Sequence, residues 1–389
     1  MPLHPLDPVR RARVLDRLSR LAGETVRAQG EEYVGHVAAP VTRLILDREL
    51  PGIGRSVMIK TRRVDGAGHG GPAFLRREAA GLRTAATSGV AAELIDFDDD
   101  AGVAIQSDLG AWPTLHQLLI GDLAEAAARG MIDLATATAR LHATTLDRRD
   151  DHQRVLDGFA ADVSTGAVYA FGLEAWDEIE RACNELALPP AAAARDDVAA
   201  LLRRTTEPGD FGALIHLDLN PSNVLITDAG ARLIDFEGCR YGHLGIDASF
   251  LRYPFPHHSH PWGVLPGSVI EEADAAYRAA LGANGAAAVL DGYDRMIADG
   301  AAIPLIGRIR RLRLVADADQ SAQDGRRRRG QIVHQIGVFG ELADRAGGMG
   351  RLAAWLRALA AAIIDRWPDA VDPPPPLYPA FGQLSERPA

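Results

Sequence analysis

Cysteine is scarce in this chain of 389 residues, which contains only Cys183 and Cys239. Two cysteines exclude a disulfide-stapled scaffold and are typical of a reducing compartment. Long apolar runs are missing as well, since the segment LAAWLRALAAAII is interrupted by Arg357 and is too short to span a bilayer. The N-terminus lacks the continuous apolar core of a signal peptide. The sequence therefore predicts a cytoplasmic protein with no membrane partner.

Positive charge is in deficit, because 42 Lys and Arg residues face 52 Asp and Glu residues and give a formal net charge of −10. This balance argues against nucleic acid as the main partner and is compatible with a cationic substrate. With 47% hydrophobic and 24% charged residues, the composition is that of a soluble globular protein. The length is sufficient for one large or two moderate domains with a substantial core.

The most informative stretch is LIHLDLNPSNVLITDAGARLIDFEG, residues 214–238. It predicts two short strands, 224–226 and 231–234, joined by a turn. Asp218 and Asn223 precede the first strand and Asp235 follows the second, so we expect all three at one end of a hairpin. A carboxylate can accept the proton of a hydroxyl nucleophile, and Asn and Asp supply the oxygen ligands that Mg²⁺ prefers. This arrangement is typical of a kinase active site.

The spacing His216-x-Asp218-x-x-x-x-Asn223, followed by Asp235-Phe236-Glu237, resembles the aminoglycoside phosphotransferase and choline kinase-like family. That family shares its fold with the protein kinases. The Phe-Glu pair after the aspartate, where protein kinases have Phe-Gly, favours the small-molecule branch, as does the lack of a downstream Ala-Pro-Glu. The resemblance extends from about residue 31 to residue 366.

Three residues depart from the usual family loop, which reads His-Gly-Asp-Leu-His-Pro-Gly-Asn. Leu217, Asn220 and Ser222 stand here in place of Gly, His and Gly. Because the polar functional positions are kept, these changes concern the substrate more than catalysis.

The resemblance implies an α+β, two-lobed protein-kinase-like fold with a small antiparallel-sheet N-lobe and a larger, mostly helical C-lobe. Residues 1–30 are expected to form an N-terminal helix packing on the N-lobe, with its amphipathic pattern covering 8–29. The expected N-lobe is 31–109, the C-lobe is 110–370, and a proline-rich tail occupies 371–389.

Within this frame, Lys60 and Glu78 are expected to position the nucleotide phosphates. Lys60 follows three apolar residues in a predicted strand, where a lysine is ordinarily an edge-strand solubiliser; the family requires a strand lysine with a helix glutamate as its partner. The segment Gln106, Ser107, Asp108 and Leu109 should border the adenine through backbone groups.

The remaining roles follow from the same resemblance. Asp218 is expected to accept the proton of the substrate hydroxyl or to orient that hydroxyl. Asn223 and Asp235 are expected to hold Mg²⁺. His142, His216 and Asp247 are expected to be structural. The cofactors are thus ATP, with GTP as an open alternative, and Mg²⁺.

Several stretches allow two interpretations. The turn near Gly35–Thr42 and the glycine-rich run 66–71 are weak candidates for phosphate cradles. The histidines 257, 258 and 260 belong either to a loop near the substrate or to a zinc site. The acidic segment AWDEIERACNEL is either a solvated helix face or a wall for a cationic substrate. The arginine run 326–329 is solvated, or it binds an acidic substrate group or an RNA.

The function expected from the sequence is transfer of the γ-phosphoryl group of ATP to a hydroxyl of a small molecule. The acceptor classes are aminoglycosides, amino alcohols and sugar-like compounds. Two alternatives remain: a catalytically inactive nucleotide-binding member of the same fold, and a protein kinase. The sequence leaves open the acceptor itself, a role in antibiotic resistance or in metabolism, and the oligomeric state.

Overall fold

The computed structural model of the protein describes residues 6–34, 41–61, 72–161, 171–254, 263–316, 322–372 and 374–386. The chain divides into two compact units, and both are discontinuous in sequence. Unit 1 comprises Met1–Trp112, Arg148–Val168 and Arg232–Arg240. Unit 2 comprises Pro113–Asp147, Tyr169–Ala231 and Tyr241–Ala389.

Strands and helices are numbered in chain order. The strands are β1 (Ala28–Tyr33), β2 (Val41–Leu50), β3 (Gly54–Thr61), β4 (Leu94–Asp98), β5 (Val103–Ser107), β6 (Gly212–Ile215), β7 (Val224–Thr227), β8 (Gly230–Leu233) and β9 (Arg240–His243). The helices are α1 (Pro8–Ala22), α2 (Pro72–Ala85), α3 (Leu115–Leu119), α4 (Ala124–Thr145), α5 (Arg149–Gly158), α6 (Leu173–Glu185), α7 (Arg195–Thr206), α8 (Gly245–Ala248), α9 (Gly267–Ala283), α10 (Tyr293–Ile309), α11 (Leu312–Ala316), α12 (Ala322–Ala346) and α13 (Gly350–Arg366).

A five-stranded antiparallel sheet in the order β1-β2-β3-β5-β4 forms the centre of unit 1. Alternation along β2 and β3 buries Leu44, Leu46, Val57 and Ile59 in one apolar cluster that also includes residues of α1. Since side chains alternate between the faces of a strand, Lys60 is placed on the face opposite to that cluster.

The first helix is shorter than its amphipathic pattern suggested. It ends at Ala22, because Gly23 adopts a left-handed conformation (φ 72°) and donates its N–H to the carbonyl of Ser19. The chain then forms β1, whose residues pair with β2. The expected helix over 8–29 was therefore wrong in its last turns, where strand pairing prevails over helical periodicity.

Unit 2 is mainly helical. Its long helix α4 packs against α9, and α10 packs against both α8 and α12. The short strand β6 pairs with β9, and β7 pairs with β8 across a two-residue turn. The α+β, two-lobed fold class expected from the sequence is thereby confirmed. No helix among the described residues is long and apolar enough to cross a membrane.

The proline-rich tail is docked within unit 2. The N–H of Val264 donates to the carbonyl of Pro376 at 2.8 Å. The side chain of Tyr378 is buried and donates its hydroxyl to the carbonyl of Pro254 at 2.7 Å, and Phe381 is also buried. Aromatic side chains thus anchor this segment, whose last described part, Pro379–Glu386, is a 3-10 helix.

Candidate active site

Lys60 lies at the centre of an ion-pair group in unit 1 that we call the lysine cluster: Lys60, Glu78, Asp235 and Glu237. Its Nζ is 3.1 Å from Glu78 Oε2 and 3.3 Å from Glu237 Oε2, and it also donates to Asp235 Oδ1. Burial alone lowers the pKa of Lys60, but the three carboxylates outweigh this effect and the net pKa is raised well above its usual value. The ammonium group therefore stays charged at any physiological pH.

Glu78 is supplied by α2 and its side chain is almost entirely buried. Burial, together with the negative charges of Asp235 and Glu237, raises the pKa of this carboxyl against the lowering effect of Lys60, and the net direction is upward. A buried carboxylate needs hydrogen-bond donors, and Glu78 has a different one on each oxygen. Oε2 accepts from Lys60, whereas Oε1 accepts from the side-chain amide of Gln106 at 3.1 Å.

A glycine allows α2 to approach the chain that carries Asp235. A Cβ at Gly81 would lie 2.2 Å from Cys239 Sγ and 3.1 Å from Phe236 Cβ, so any larger residue would push this segment away. Asp235 itself has a left-handed backbone (φ 70°), from which the chain enters a short 3-10 helix at Phe236–Gly238. Both features bring Asp235 and Glu237 into the lysine cluster.

The segment expected to border the adenine makes contacts within unit 1 through the side chains of Gln106 and Ser107 and the backbone carbonyl of Leu109. The Gln106 amide donates to Glu78, and the Ser107 hydroxyl accepts from the N–H of Glu93 at 2.9 Å. The Leu109 carbonyl accepts from the indole N–H of Trp112 at 2.7 Å.

Asp108 completes this segment and ties it to two strands. Its carboxylate accepts from Arg43 Nε in β2 at 2.7 Å and from the Ser56 hydroxyl in β3 at 2.6 Å. Burial raises the pKa of Asp108, but these donors and the N–H of Gly110 outweigh burial and the net pKa is lowered. The carboxylate is therefore a fixed anchor for the backbone of this segment.

In unit 2, Asp218 lies in residues 216–223, which we call the catalytic loop after the role expected of Asp218. Its Oδ1 accepts from Asn220 Nδ2 at 3.0 Å, and its Oδ2 accepts from Asn223 Nδ2 at 2.9 Å. Asn223 also donates to the Asp218 backbone carbonyl at 3.0 Å. Two neutral amides therefore fix the plane of the carboxylate, and its oxygens keep further lone pairs for a substrate hydroxyl.

Asn220 was noted in the sequence only as a departure from the family loop, and its contact with Asp218 was not expected. Its Oδ1 accepts from the N–H of Ser222 at 3.0 Å and from the Ser222 hydroxyl, while its amide nitrogen holds Asp218. The departures from the family's usual loop at Asn220 and Ser222 thus form a connected pair beside the Asp218 carboxylate.

Leu217 occupies a backbone conformation that normally suits glycine, with φ at 66°. A left-handed residue with a side chain costs about 1–2 kcal/mol. The conformation is held by Asp247, which accepts from the N–H of His216 at 2.6 Å and from the N–H of Leu217 at 2.9 Å. The Leu217 side chain is fully buried, so its packing offsets part of this cost.

His142 and Tyr277 form a buried chain of polar contacts with Asp247. His142 Nε2 lies 3.3 Å from Asp247 Oδ2, and Nδ1 lies 2.7 Å from the Tyr277 hydroxyl. In the neutral imidazole, the tautomer that donates from Nε2 to the Asp247 carboxylate accepts at Nδ1 from the Tyr277 hydroxyl. Burial raises the pKa of Tyr277 well above its usual value, so it keeps this proton.

The helix that carries Asp247 makes direct backbone contact with α10. A Cβ at Gly300 would lie 2.0 Å from the carbonyl carbon of Gly245, and a Cβ at Gly245 would lie 2.2 Å from the carbonyl oxygen of Met296. Glycine at both positions is therefore required for this packing of α8 on α10.

The donor set suits magnesium bound together with a nucleotide. No group of three His, Cys, Asp or Glu side chains that could hold an ion occurs among the described residues. Mg²⁺ is usually held by one or two protein ligands plus substrate phosphates. The nitrogen of the Asn223 amide faces Asp218, which directs its oxygen away from that carboxylate, and the Asp235 carboxylate is about one-third exposed. Both residues fit this role.

Three of the weaker candidates cannot be placed in the structure. Gly35, the run 66–71 and the histidines 257, 258 and 260 lie outside the described residues. Of the arginine run, which falls within α12, Arg329 is bound to Asp369 and to the Val315 carbonyl.

The acidic segment in α6 is paired with arginines. Asp177 and Glu180 share Arg195, and Glu178 contacts Arg310. Their negative charge is therefore partly compensated, which favours the interpretation as an ordinary helix face.

Lysine usage is a further signal in the sequence that points to the same residue. Lys60 is the only lysine in the chain, whereas arginine occurs 41 times. An ammonium group differs from a guanidinium in being compact and in having three rotatable donors. The chain thus has arginine at its other 41 Lys or Arg positions and lysine where three carboxylates converge on the side-chain nitrogen.

Comparison with known proteins gives one family and several distant structures. The family described as "Phosphotransferase enzyme family" (APH) matches residues 67–298, which is more than half of the chain. A search of curated proteins finds no match.

The similar solved structures include three kinases. An ethanolamine kinase from Plasmodium vivax is 12% identical, with 80% of this chain and 84% of that chain covered and a TM-score of 0.48. A choline kinase from Streptococcus pneumoniae is 13% identical, with 84% and 98% covered and a TM-score of 0.44. A choline/ethanolamine kinase family protein from Mesorhizobium loti is 17% identical, with 90% and 99% covered and a TM-score of 0.43. At these values the likenesses say nothing about the substrate of this chain.

Proposed function

Since this chain belongs to the phosphotransferase enzyme family, we propose that it transfers the γ-phosphoryl group of Mg-ATP to a hydroxyl of a small molecule. The acceptor classes are aminoglycosides, amino alcohols and sugar-like compounds. GTP is an alternative phosphoryl donor. The backbone of residues 106–109 would contact the base, so the side-chain types in this segment do not indicate which base binds.

The observation that carries the proposal is the ion pair between Lys60 and Glu78 at 3.1 Å, with Asp235 on the same ammonium. A phosphate-positioning lysine in this fold requires a helix glutamate and an adjacent metal-binding aspartate. The only lysine of the chain has both partners.

Each remaining group has a role in phosphoryl transfer. Lys60 would bind the nucleotide phosphates, and Asn223 and Asp235 would hold magnesium, which supplies charge neutralisation. Asp218 would orient the acceptor hydroxyl and take its proton. Since the transition state of phosphoryl transfer is loose, most of the rate enhancement would come from positioning and electrostatics.

The proposal is tested by nucleotide turnover with Mg-ATP and Mg-GTP across a panel of aminoglycosides, amino alcohols and sugars. We expect acceptor-dependent turnover by the wild-type protein. In the Asp218→Ala variant we expect turnover to fall by about a thousandfold or more, because the proton acceptor is lost. The Mg-ATP dissociation constant should change little, since Asp218 is assigned to the acceptor.

The control is Asp228→Asn, an exposed residue in the β7–β8 turn that should behave as wild type. Normal turnover in Asp218→Ala would refute the role of that residue. Binding of Mg-ATP without turnover for any acceptor would favour the inactive nucleotide-binding alternative. Failure to bind either nucleotide would contradict the proposal as a whole.

A further inference from the structure

Gln106 holds the one oxygen of Glu78 that Lys60 does not. The Gln106 amide nitrogen lies 3.1 Å from Glu78 Oε1, and Lys60 Nζ lies 3.1 Å from Glu78 Oε2. The buried carboxylate is therefore clamped between a neutral donor and a charged one. The sequence assigned Gln106 to the adenine through its backbone, so this use of its side chain is a separate property.

The sheet register brings these groups to one face. β3 and β5 are antiparallel, with Met58 opposite Gln106 and Lys60 opposite Ala104. Directly opposite residues share a face, and so do residues two apart on one strand. Gln106 and Lys60 therefore lie on the same face, and Ala104, the residue directly opposite Lys60, is small and buried.

The charges of the lysine cluster explain why Glu78 needs a second, neutral hydrogen-bond donor. One ammonium is shared among the carboxylates of Glu78, Asp235 and Glu237, so Glu78 competes with two others for it. Incoming phosphates would draw the ammonium further from Glu78. A hydrogen bond from a neutral amide carries no net charge and does not depend on that competition.

We propose that Gln106 is a positioning residue that keeps the Glu78 carboxylate aimed at Lys60 while the ammonium exchanges partners on nucleotide binding. Only the part of this inference that concerns the nucleotide complex rests on the proposed function. Gln106 acts through Glu78 and need not touch the substrate.

The test is Gln106→Met, which keeps the length of the side chain and removes the donor. Protein labelled with ¹³C at the lysine ε-carbon gives a single lysine signal, because Lys60 is the only lysine. We expect this signal in Gln106→Met to be displaced or broadened relative to wild type, both in free protein and with Mg-AMP-PNP. The Mg-AMP-PNP dissociation constant should rise about tenfold, the equivalent of one hydrogen bond to a charged group.

A double-mutant cycle separates positioning from packing. If Gln106 acts through Glu78, Gln106→Met should change neither the lysine signal nor affinity further in a Glu78→Ala background. A comparable further change there would overturn the proposal, because packing effects of Gln106 do not depend on Glu78. Gln106→Leu serves as a second apolar variant if Gln106→Met does not fold.

A matched control is Gln29→Met, which removes an exposed side-chain amide from β1. The Gln29 side-chain oxygen accepts from Arg55 at 3.3 Å, a contact that involves no member of the lysine cluster. This variant should leave the lysine signal unchanged.

Measurements on the free protein test the role of Gln106, and measurements of nucleotide binding test the proposed function. A Gln106→Met signal that coincides with wild type in free protein would overturn the proposal whatever the enzyme does. Absence of nucleotide binding by wild type would instead refute the proposed function, and the free-protein signals would still report on the contact between Gln106 and Glu78.

Discussion

The candidate site residues of unit 1 and of unit 2 are held by different forces. In unit 1, the lysine cluster depends on charge: one ammonium lies among three carboxylates. In unit 2, the carboxylate of Asp218 is fixed by neutral amides, and the loop backbone is fixed by Asp247.

This difference matters because the two kinds of contact respond differently to a ligand. Ion pairs can exchange partners when phosphates and a metal ion bring new charges. Hydrogen bonds from amides and backbone N–H groups are directional and depend on geometry. The lysine cluster is thus suited to accepting a charged ligand, and the catalytic loop is suited to holding one carboxylate in a constant direction.

The largest effect should come from removing the charge of the lysine cluster. Lys60→Met leaves three carboxylates without their ammonium, so we expect turnover to fall by about a thousandfold. Lys60→Arg restores the charge with a planar, bulkier group and should recover only part of the rate. Turnover and Mg-ATP affinity measured for both variants would check this, and a fully active Lys60→Met would show that charge is not what the cluster supplies.

An intermediate effect is expected from loosening the catalytic loop. Asp247→Asn exchanges one acceptor oxygen for an amide that faces N–H donors, so the left-handed conformation at Leu217 loses its support. We expect turnover to fall by about a hundredfold through misplacement of Asp218, while Mg-ATP affinity stays near wild type. If Mg-ATP affinity fell together with turnover, the lysine cluster and the catalytic loop would not be stabilised independently. Asp228→Asn is again the control.

The smallest effect concerns acid stability. Burial lowers the pKa of His152 in unit 1 and of His243 in unit 2 to about 4. Because the folded-state pKa is below the unfolded value of 6.5, their contribution to stability is complete above pH 6.5 and is lost as the pH falls towards 4. Each can contribute on the order of 3 kcal/mol to this loss.

Denaturant unfolding of His152→Asn and His243→Asn between about pH 7 and pH 4 would measure this dependence. We expect each variant to show a shallower decline than wild type, whatever its stability at neutral pH. An unchanged slope in His243→Asn would mean that this histidine gains a proton in the folded state at a higher pH than expected.

The sequence was most informative where the site is local. Asp218, Asn223 and Asp235 lie within one short stretch, so their spacing alone made them candidates, and Lys60 and Glu78 became candidates through the resemblance. The helix end at Gly23 and the start of β1 were missed, because strand pairing with β2 is not encoded in the periodicity of residues 8–29.

The contacts that hold the candidate site residues in place could not be predicted from the sequence, for a different reason. Tyr277 contacts His142 across 135 residues of sequence, and Arg43 contacts Asp108 across 65. Such pairs depend on how strands and helices pack, and either partner alone is an ordinary polar residue. The use of the Gln106 side chain is of this kind, since only the register of β3 and β5 shows its orientation.

The glycine contact between α8 and α10 has a mechanical consequence. Between most packed helices, side chains can change rotamer and absorb a small shift of one helix axis. Gly245 and Gly300 meet backbone to backbone, so nothing compressible separates them. A displacement of α10 would therefore also displace α8 and, through Asp247, the loop that carries Asp218. Helix α10 (Tyr293–Ile309) therefore helps to position the catalytic loop, although it is not assigned a reactive group.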